Sequence, residues 1–181
     1  EIKLSVLFVC MGNICRSPTA EGVFRKFLAD AGLAETVHAD SAGTHAYHVG
    51  EGPDSRARAA AERRGYSLEG IRARRVTDMD FEGFDFILAM DEDNLLQLRD
   101  GADESHHEKI ALLLDFAESN SLREVPDPYY GGAAGFERVL DLVEDASRGL
   151  LDSVRSRLEP GHASHDRATL TVSVLVGRFG P

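Results

Sequence analysis

The chain has 181 residues, with 20 basic against 31 acidic side chains, a formal net charge of −11, and 43% hydrophobic and 28% charged residues. A chain of this length forms one domain with its own core and needs no disulfide or metal staples, and this composition excludes disorder along its whole length. The acidic balance excludes a global electrostatic hold on nucleic acid, and no run of 18 apolar residues offers a membrane-spanning helix, so neither nucleic acid nor membrane insertion is expected.

Leu4–Val9 is a near-continuous apolar run, the pattern of a parallel strand buried on both faces. Gly12 and Asn13 break it, and Ser17-Pro18 reads as a helix start, with Ser17 as N-cap and Pro18 at the first helical position. Ala20, Val23, Phe24, Phe27 and Leu28 then have helical spacing up to Gly32. Thr36–Ala42 reads as a weaker strand, and Asp54 opens an Ala/Arg-rich helix ending near Gly65. Phe84–Met90 is a second buried strand, followed by a short helix from Asp91; Ile110–Leu114 is a further apolar run. Asp115–Tyr130 has no clear element, as befits a functional loop. Gly132–Leu158 carries a helical stripe of Phe136, Val139, Leu140, Val143, Leu150, Leu151 and Val154. Beyond it, Thr169–Val176 alternates like a strand. Strands alternating with helices predict an α/β protein: a single-domain open parallel sheet of about four strands.

The segment Cys10-Met11-Gly12-Asn13-Ile14-Cys15-Arg16-Ser17 falls where a buried strand ends and a helix begins. That edge is where open α/β sheets bind ligands, and a helix start offers free amides and a positive dipole end to an anion. Gly12 and Asn13 suit a tight loop whose amides point inward. Cys10 at the loop base would face the anion as a thiolate favoured by the helix end and Arg16. Ser17 would donate a hydrogen bond to the sulfur, and the planar fork of Arg16 matches two phosphate oxygens. Together these make a nucleophile, an oxyanion cradle and a charge clamp, a set suited to phosphoryl transfer to sulfur. The pattern Cys-x-Gly-x3-Arg-Ser is expected by chance roughly 0.002 times in such a chain, before its strand-loop-helix setting is counted.

A leaving alkoxide or phenoxide needs a proton. Asp127-Pro128-Tyr129-Tyr130 offers an acid on a stiffened loop and two rings to wall an aromatic slot; the same tetrapeptide also reads as an ordinary Asp-Pro turn. Cys15 reads either as a small packing residue or as a second functional thiol. Arg56, Arg58, Arg63, Arg64, Arg72, Arg74 and Arg75 form either a solvated face or a basic flank for an anionic partner. His45, His48, His106 and His107 read as solvated loop residues, and His162-x-x-His165 is too weak a pattern for a metal site. The start Glu1-Ile2-Lys3-Leu4 shows no secretory signal, and the two cysteines make no disulfide scaffold, so a cytoplasmic compartment is expected.

With Val6–Glu21, Asp40–Thr44, Pro53–Ala57, Ala73–Thr77, Met90–Leu95 and Asp127–Tyr130 in order and at matching spacing, the chain resembles the low-molecular-weight protein tyrosine phosphatases over residues 4 to 158. The resemblance implies a flavodoxin-like, doubly wound fold with helices on both sheet faces and the phosphate loop between the first strand and first helix. It implies that Cys10 carries a cysteinyl-phosphate intermediate, that Arg16 and the amides of Met11 to Ser17 bind the phosphoryl oxygens, and that Asp127 is acid then base. Ser17 would support the thiolate, and Asn13 would hold the loop in one network with Ser41. Tyr47, Met11, Ile14, Tyr129 and Tyr130 would line a slot deep enough to prefer phosphotyrosine over phosphoserine. No metal or cofactor is implied. The partners would be tyrosine-phosphorylated proteins, a tyrosine kinase being one candidate. Cys15 would form a reversible disulfide with Cys10.

The family pattern ends near Leu158. This divides the chain into a catalytic domain, 1–158, and an extension, 159–181, expected to be dispensable for catalysis. Two other functions use the same loop: a thiol-dependent arsenate reductase of the same fold, and a silent phosphotyrosine-binding module. The first lacks further cysteines for an internal relay, since none follows Cys15; the second is expected to lose the nucleophile or the acid, and both are present. Cys10 and Cys15 alone do not complete a zinc shell.

Overall fold

A computed structural model describes residues 1–159; the strand expected at Thr169–Val176, His162, His165 and the extension from residue 160 lie outside them. Four parallel strands, β1 (Leu4–Cys10), β2 (Val37–Gly43), β3 (Phe86–Ala89) and β4 (Ile110–Leu112), stand in the order β2-β1-β3-β4. Leu4 pairs with Val37 and Cys10 with Gly43 on one side of β1, and Val6 with Phe86 on the other.

Side chains alternate across the pleat. Val6, Phe8 and Cys10 of β1 join one core, filled by Val23, Phe24 and Leu28 of α1 (Arg16–Asp30) and by the apolar stripe of α5 (Ala133–Leu158). The ring of Phe24 meets Phe8 edge-on, with centroids 5.7 Å apart. Leu7 and Val9 join the opposite core with Ile87, Ala89, Ile110 and Leu112, capped by Phe81 of α3 (Asp78–Gly83) and by Leu95 and Leu98 of α4 (Glu92–Gly101). α2 (Ser55–Arg63) packs with α1 and α5. The sheet is therefore covered on both faces, as the apolar run of β1 requires.

Several boundaries differ from expectation. α1 begins at Arg16 with Cys15 as N-cap, so Ser17 is the second helical residue and its hydroxyl is free for other work. Pro18 sits third, still within the turn whose N–H groups have no helical partner. α3 and two 3-10 turns, Glu104–Lys109 and Leu113–Phe116, were not anticipated. The apolar run 110–114 splits into a short strand and the second of these turns.

That second turn lies so close to α5 that a Cβ on Gly149 would stand 1.9 Å from the carbonyl oxygen of Phe116. Alanine in a helix interior gains about 1 kcal/mol over glycine, but here the clash is with backbone and must push α5 off the turn. Gly149→Ala is expected to destabilise the fold by about 2–3 kcal/mol, read as a lowered urea midpoint; an unchanged or raised midpoint would show that the contact yields.

Candidate active site

The crossover after β1 sends α1 to one face and the crossover after β3 sends α4 to the other, so the loops leaving these neighbouring strands diverge. The crevice between them, at the carboxyl ends, is the topological switch point. A cavity of about 340 Å³ opens there, lined by Cys10, Arg16, Asp127, Tyr129 and the rim residues discussed below.

The loop from Cys10 to Ser17 is turned inside out by its neighbours. Thr44 N donates to Cys10 O at 2.9 Å, His45 N to Met11 O at 3.0 Å and Asp54 N to Ile14 O at 2.8 Å. With these carbonyls bound outward, the amides of the loop are left for the cavity side. Asn13 adopts φ 57°, and its left-handed turn carries the chain around. Gly12 has no such φ; a side chain there would press on His48 Cδ2, 3.0 Å from its Cβ position. Asn13 Oδ1 accepts from Arg74 N at 3.0 Å, and its Nδ2 donates to Ser17 Oγ at 2.8 Å. α1 has no side-chain cap and no acidic residue in its first turn, so the helix itself does not answer its positive end.

The sulfur of Cys10 sits at the centre. Asn13 N donates to it at 3.3 Å, and Ser17 Oγ lies 3.0 Å away. Since Ser17 already accepts from Asn13, its own proton is directed at the sulfur, with the longer contact to Ala42 O, 3.4 Å, as the alternative.

Arg16 is 3% exposed. Its Nη1 donates to Asp91 Oδ2 at 2.6 Å and to Val125 O at 3.0 Å. Among the described residues Nε and Nη2 make no hydrogen bond, and Nη2 lies 3.9 Å from Asp127 Oδ2. Burial works against its charge, but the Cys10 sulfur and the Asp91 carboxylate outweigh it and hold the guanidinium more firmly protonated than usual. One edge of the fork is thus anchored and the other is free for an anion.

Asp127 both closes a turn and faces the cavity. Oδ1 accepts from Tyr129 N at 3.0 Å, closing the Asx turn, while Oδ2 faces Arg16. Met11, Ile14, Tyr47, Tyr129 and Tyr130 all line the cavity. Tyr47 and Tyr130 are largely exposed and form its rim rather than deep walls; Tyr47 stacks on His45 at 5.1 Å, and Tyr130 meets Tyr129 edge-on at 4.9 Å.

The Ser41 hydroxyl donates to the buried carboxylate of Glu21 at 2.6 Å and not to Asn13. Burial pushes the Glu21 carboxyl above its usual range, against the opposing pull of Ser41 and Arg25. The link to Asn13 is indirect: Asp40 holds Ser41 N and the Arg74 guanidinium, and the Arg74 backbone holds Asn13. Cys15 is a buried free thiol that lines the same cavity as Cys10, and burial, with Asp54, Cys10 and Asp127 adding, pushes it up to about 12. It is protonated at neutral pH.

Sequence reasoning missed Asp91, Arg74, Arg56 and His48. Asp91 was visible as the cap of the helix after β3, at the switch point; His48 was read as solvated, yet it lines the cavity, and no local signal marks it. The arginine cluster splits. Arg56 pairs with Asp54, donates to Tyr129 O at 3.0 Å and stacks over the rings of Tyr129 and Phe136, tying the start of α2 to the Asp127 loop. Arg63 and Arg64 bind carboxylates of α5, and Arg74 binds Asp40 and Asp80.

A family model for low molecular weight phosphotyrosine protein phosphatases matches residues 5–159. The chain is 43% identical to the low molecular weight protein-tyrosine-phosphatase YfkJ of Bacillus subtilis, over 84% of this chain and 96% of that one. It is 41% identical to the human low molecular weight phosphotyrosine protein phosphatase, over 82% and 94%. A crystal structure of a protein tyrosine phosphatase from Entamoeba histolytica, with Hepes in its active site, superposes with a TM-score of 0.83 at 45% identity, covering 85% of this chain and 98% of that one. With fold, loop and extent agreeing, the chain belongs to the low molecular weight phosphotyrosine protein phosphatase family.

Proposed function

We propose that the protein hydrolyses phosphotyrosine in protein substrates in two steps at Cys10. In the first, the thiolate attacks phosphorus; the S–P bond forms as the bond to the tyrosine oxygen breaks, and Asp127 gives that oxygen its proton. In the second, Asp127 takes a proton from a water that attacks phosphorus, the S–P bond breaks, and phosphate and thiolate are released. Arg16 and the inward amides carry the charge of the equatorial oxygens in both transition states, the task a metal ion performs in other phosphatases.

The observation that carries this reading is the convergence of the Cys10 sulfur, the free edge of Arg16 and Asp127 Oδ2 on one cavity. Hepes in the Entamoeba site supports it, since its sulfonate is a tetrahedral anion like a phosphate ester. An intact nucleophile and acid favour catalysis over silent binding. The family model ends at residue 159, which supports a catalytic unit of residues 1–158 with 159–181 as an addition. Among the described residues no helix is long and apolar enough to cross a membrane. We infer a cytoplasmic site of action on tyrosine-phosphorylated proteins, a tyrosine kinase among them.

The test is hydrolysis of phosphotyrosine, phosphoserine and p-nitrophenyl phosphate in EDTA. Phosphotyrosine is expected to be strongly preferred to phosphoserine. Asp127→Asn keeps the Asx turn but holds no transferable acid proton, so kcat on phosphotyrosine is expected to fall about 10²–10³-fold, with a smaller loss on the better leaving group p-nitrophenolate. Loss of activity in EDTA, or equal losses on both leaving groups, would overturn the assignment.

A further inference from the structure

Gly52 lies in the segment joining β2 to α2, four residues after His48 of the cavity wall and two before Asp54, whose N–H is bound to the phosphate loop. Its φ is outside the left-handed region, so the backbone does not demand glycine there. The space above it does. A Cβ on Gly52 would stand 3.0 Å from Arg58 Nη2 and 3.0 Å from Arg72 Nη1, so the two guanidinium nitrogens converge to within 6.0 Å of each other over a floor with no side chain.

Two cations this close repel unless an anion joins them. Among the described residues neither has a carboxylate within 4 Å, unlike Arg56, Arg63, Arg64 and Arg74 around them. The acidic residues on either side of Gly52 are turned elsewhere: Glu51 to His48 Nδ1 at 2.9 Å, and Asp54 to Arg56. Arg72 Nη1 is held in place by Ile71 O at 3.2 Å. The result is a positive notch on a protein of net charge −11, whose floor, Gly52, lies within roughly 7 Å of the Asp54 backbone that supports the loop.

We propose that Arg58 and Arg72 form an anion notch that binds a carboxylate or phosphate on the substrate chain, a few residues from the phosphotyrosine held at Cys10. The notch makes the substrate class acidic phosphopeptides, and this rests on the phosphatase reading. Guanidinium pairs grip either anion through charge-assisted hydrogen bonds, and at an exposed site such contacts change affinity by about five- to tenfold.

The experiment compares three sets of phosphotyrosine peptides, with alanine, glutamate or phosphoserine placed two to five residues to either side. The parent is expected to show kcat/KM about five- to tenfold higher for at least one anionic placement than for alanine, chiefly through KM, and the advantage is expected to shrink in 0.5 M salt. The glutamate and phosphoserine arms distinguish carboxylate from phosphate. In Arg58→Ala/Arg72→Ala the ratio of anionic to neutral peptide is expected to fall to about one. Gly52→Leu, which fills the notch and leaves both charges, is expected to do the same. Binding of the same peptides to Cys10→Ser, read by fluorescence polarisation, gives the ratio without turnover. Equal affinity for all peptides, or a preference that survives in the double variant, overturns the notch; failure of the parent to hydrolyse any peptide overturns the phosphatase reading separately.

Discussion

Cys10→Ser is expected to lower kcat on phosphotyrosine by at least about 10⁴-fold while leaving the fold and the affinity for phosphopeptides in place. The magnitude follows from the position of the sulfur. It is the one atom in the cavity that accepts from the loop amide of Asn13 and from Ser17, and it lies at the carboxyl end of a strand whose register is fixed by β2 and β3. Serine occupies nearly the same space, but its hydroxyl holds its proton far more strongly than a thiol, and neither hydrogen-bond partner at that position, Asn13 N or Ser17 Oγ, is a base. Removing the nucleophile of a covalent mechanism typically leaves only binding and charge stabilisation, a loss on the order of 10⁴–10⁶. Rapid acid quench of the parent is expected to trap a phosphoryl group on the peptide containing Cys10, absent from the variant. Turnover within a hundredfold of the parent, or a phosphoryl group found elsewhere, would place the nucleophile at another residue.

Arg16→Lys is expected to cost about 10³-fold in kcat/KM, although charge is conserved. The guanidinium works on two sides at once, with Nη1 bound to Asp91 and Val125 O and its other edge turned to the cavity. An ammonium is a point donor. It reaches either the Asp91 carboxylate or the phosphoryl oxygens, and in the first case the transition state loses its clamp. In the second case Asp91, only about a fifth exposed, loses its partner. Vanadate, which takes the trigonal bipyramidal shape of the transition state, is expected to lose affinity in proportion to kcat/KM, while inorganic phosphate loses much less. A lysine variant within tenfold of the parent, or equal losses for the two anions, would show that Arg16 supplies charge alone.

The parts of the site that are contiguous in the chain were legible in the sequence. Cys10, the turn at Asn13, Arg16 and the parallel strand beneath them lie within one strand-loop-helix unit, where residue type and spacing carry the geometry. A Ser-Pro pair is locally a good helix start, which makes Ser17 look like a cap; in the fold its hydroxyl is engaged instead, accepting from Asn13 and facing the Cys10 sulfur. Ser41 was drawn to Glu21 by a burial that no spacing reveals. Asp91 and Arg74 reach the loop from 75 and 61 residues away, so their roles needed the sheet order. α3 has only six residues, anchored by a Thr77–Asp80 capping box and the single ring of Phe81, too little for a periodic signal. The exposed rings of Tyr47 and Tyr130 were read as walls because their identity, but not their depth, is written in the chain.

The outward pinning of the Cys10, Met11 and Ile14 carbonyls has a consequence for selectivity. A ring of amides with one guanidinium edge measures the size and charge of a tetrahedral oxyanion; it has no means of naming the central atom. Phosphate, arsenate, sulfate and vanadate present nearly the same outline to it. The cradle therefore defines a class of ions, and discrimination within that class would fall to what surrounds it: the proton that Asp127 would deliver, which rewards a departing phenoxide, and the aromatic and cationic rim, which would reward the chain that carries it. A loop of this kind would serve an arsenate reductase as well as a phosphatase, the two differing in what happens to the thiolate adduct afterwards.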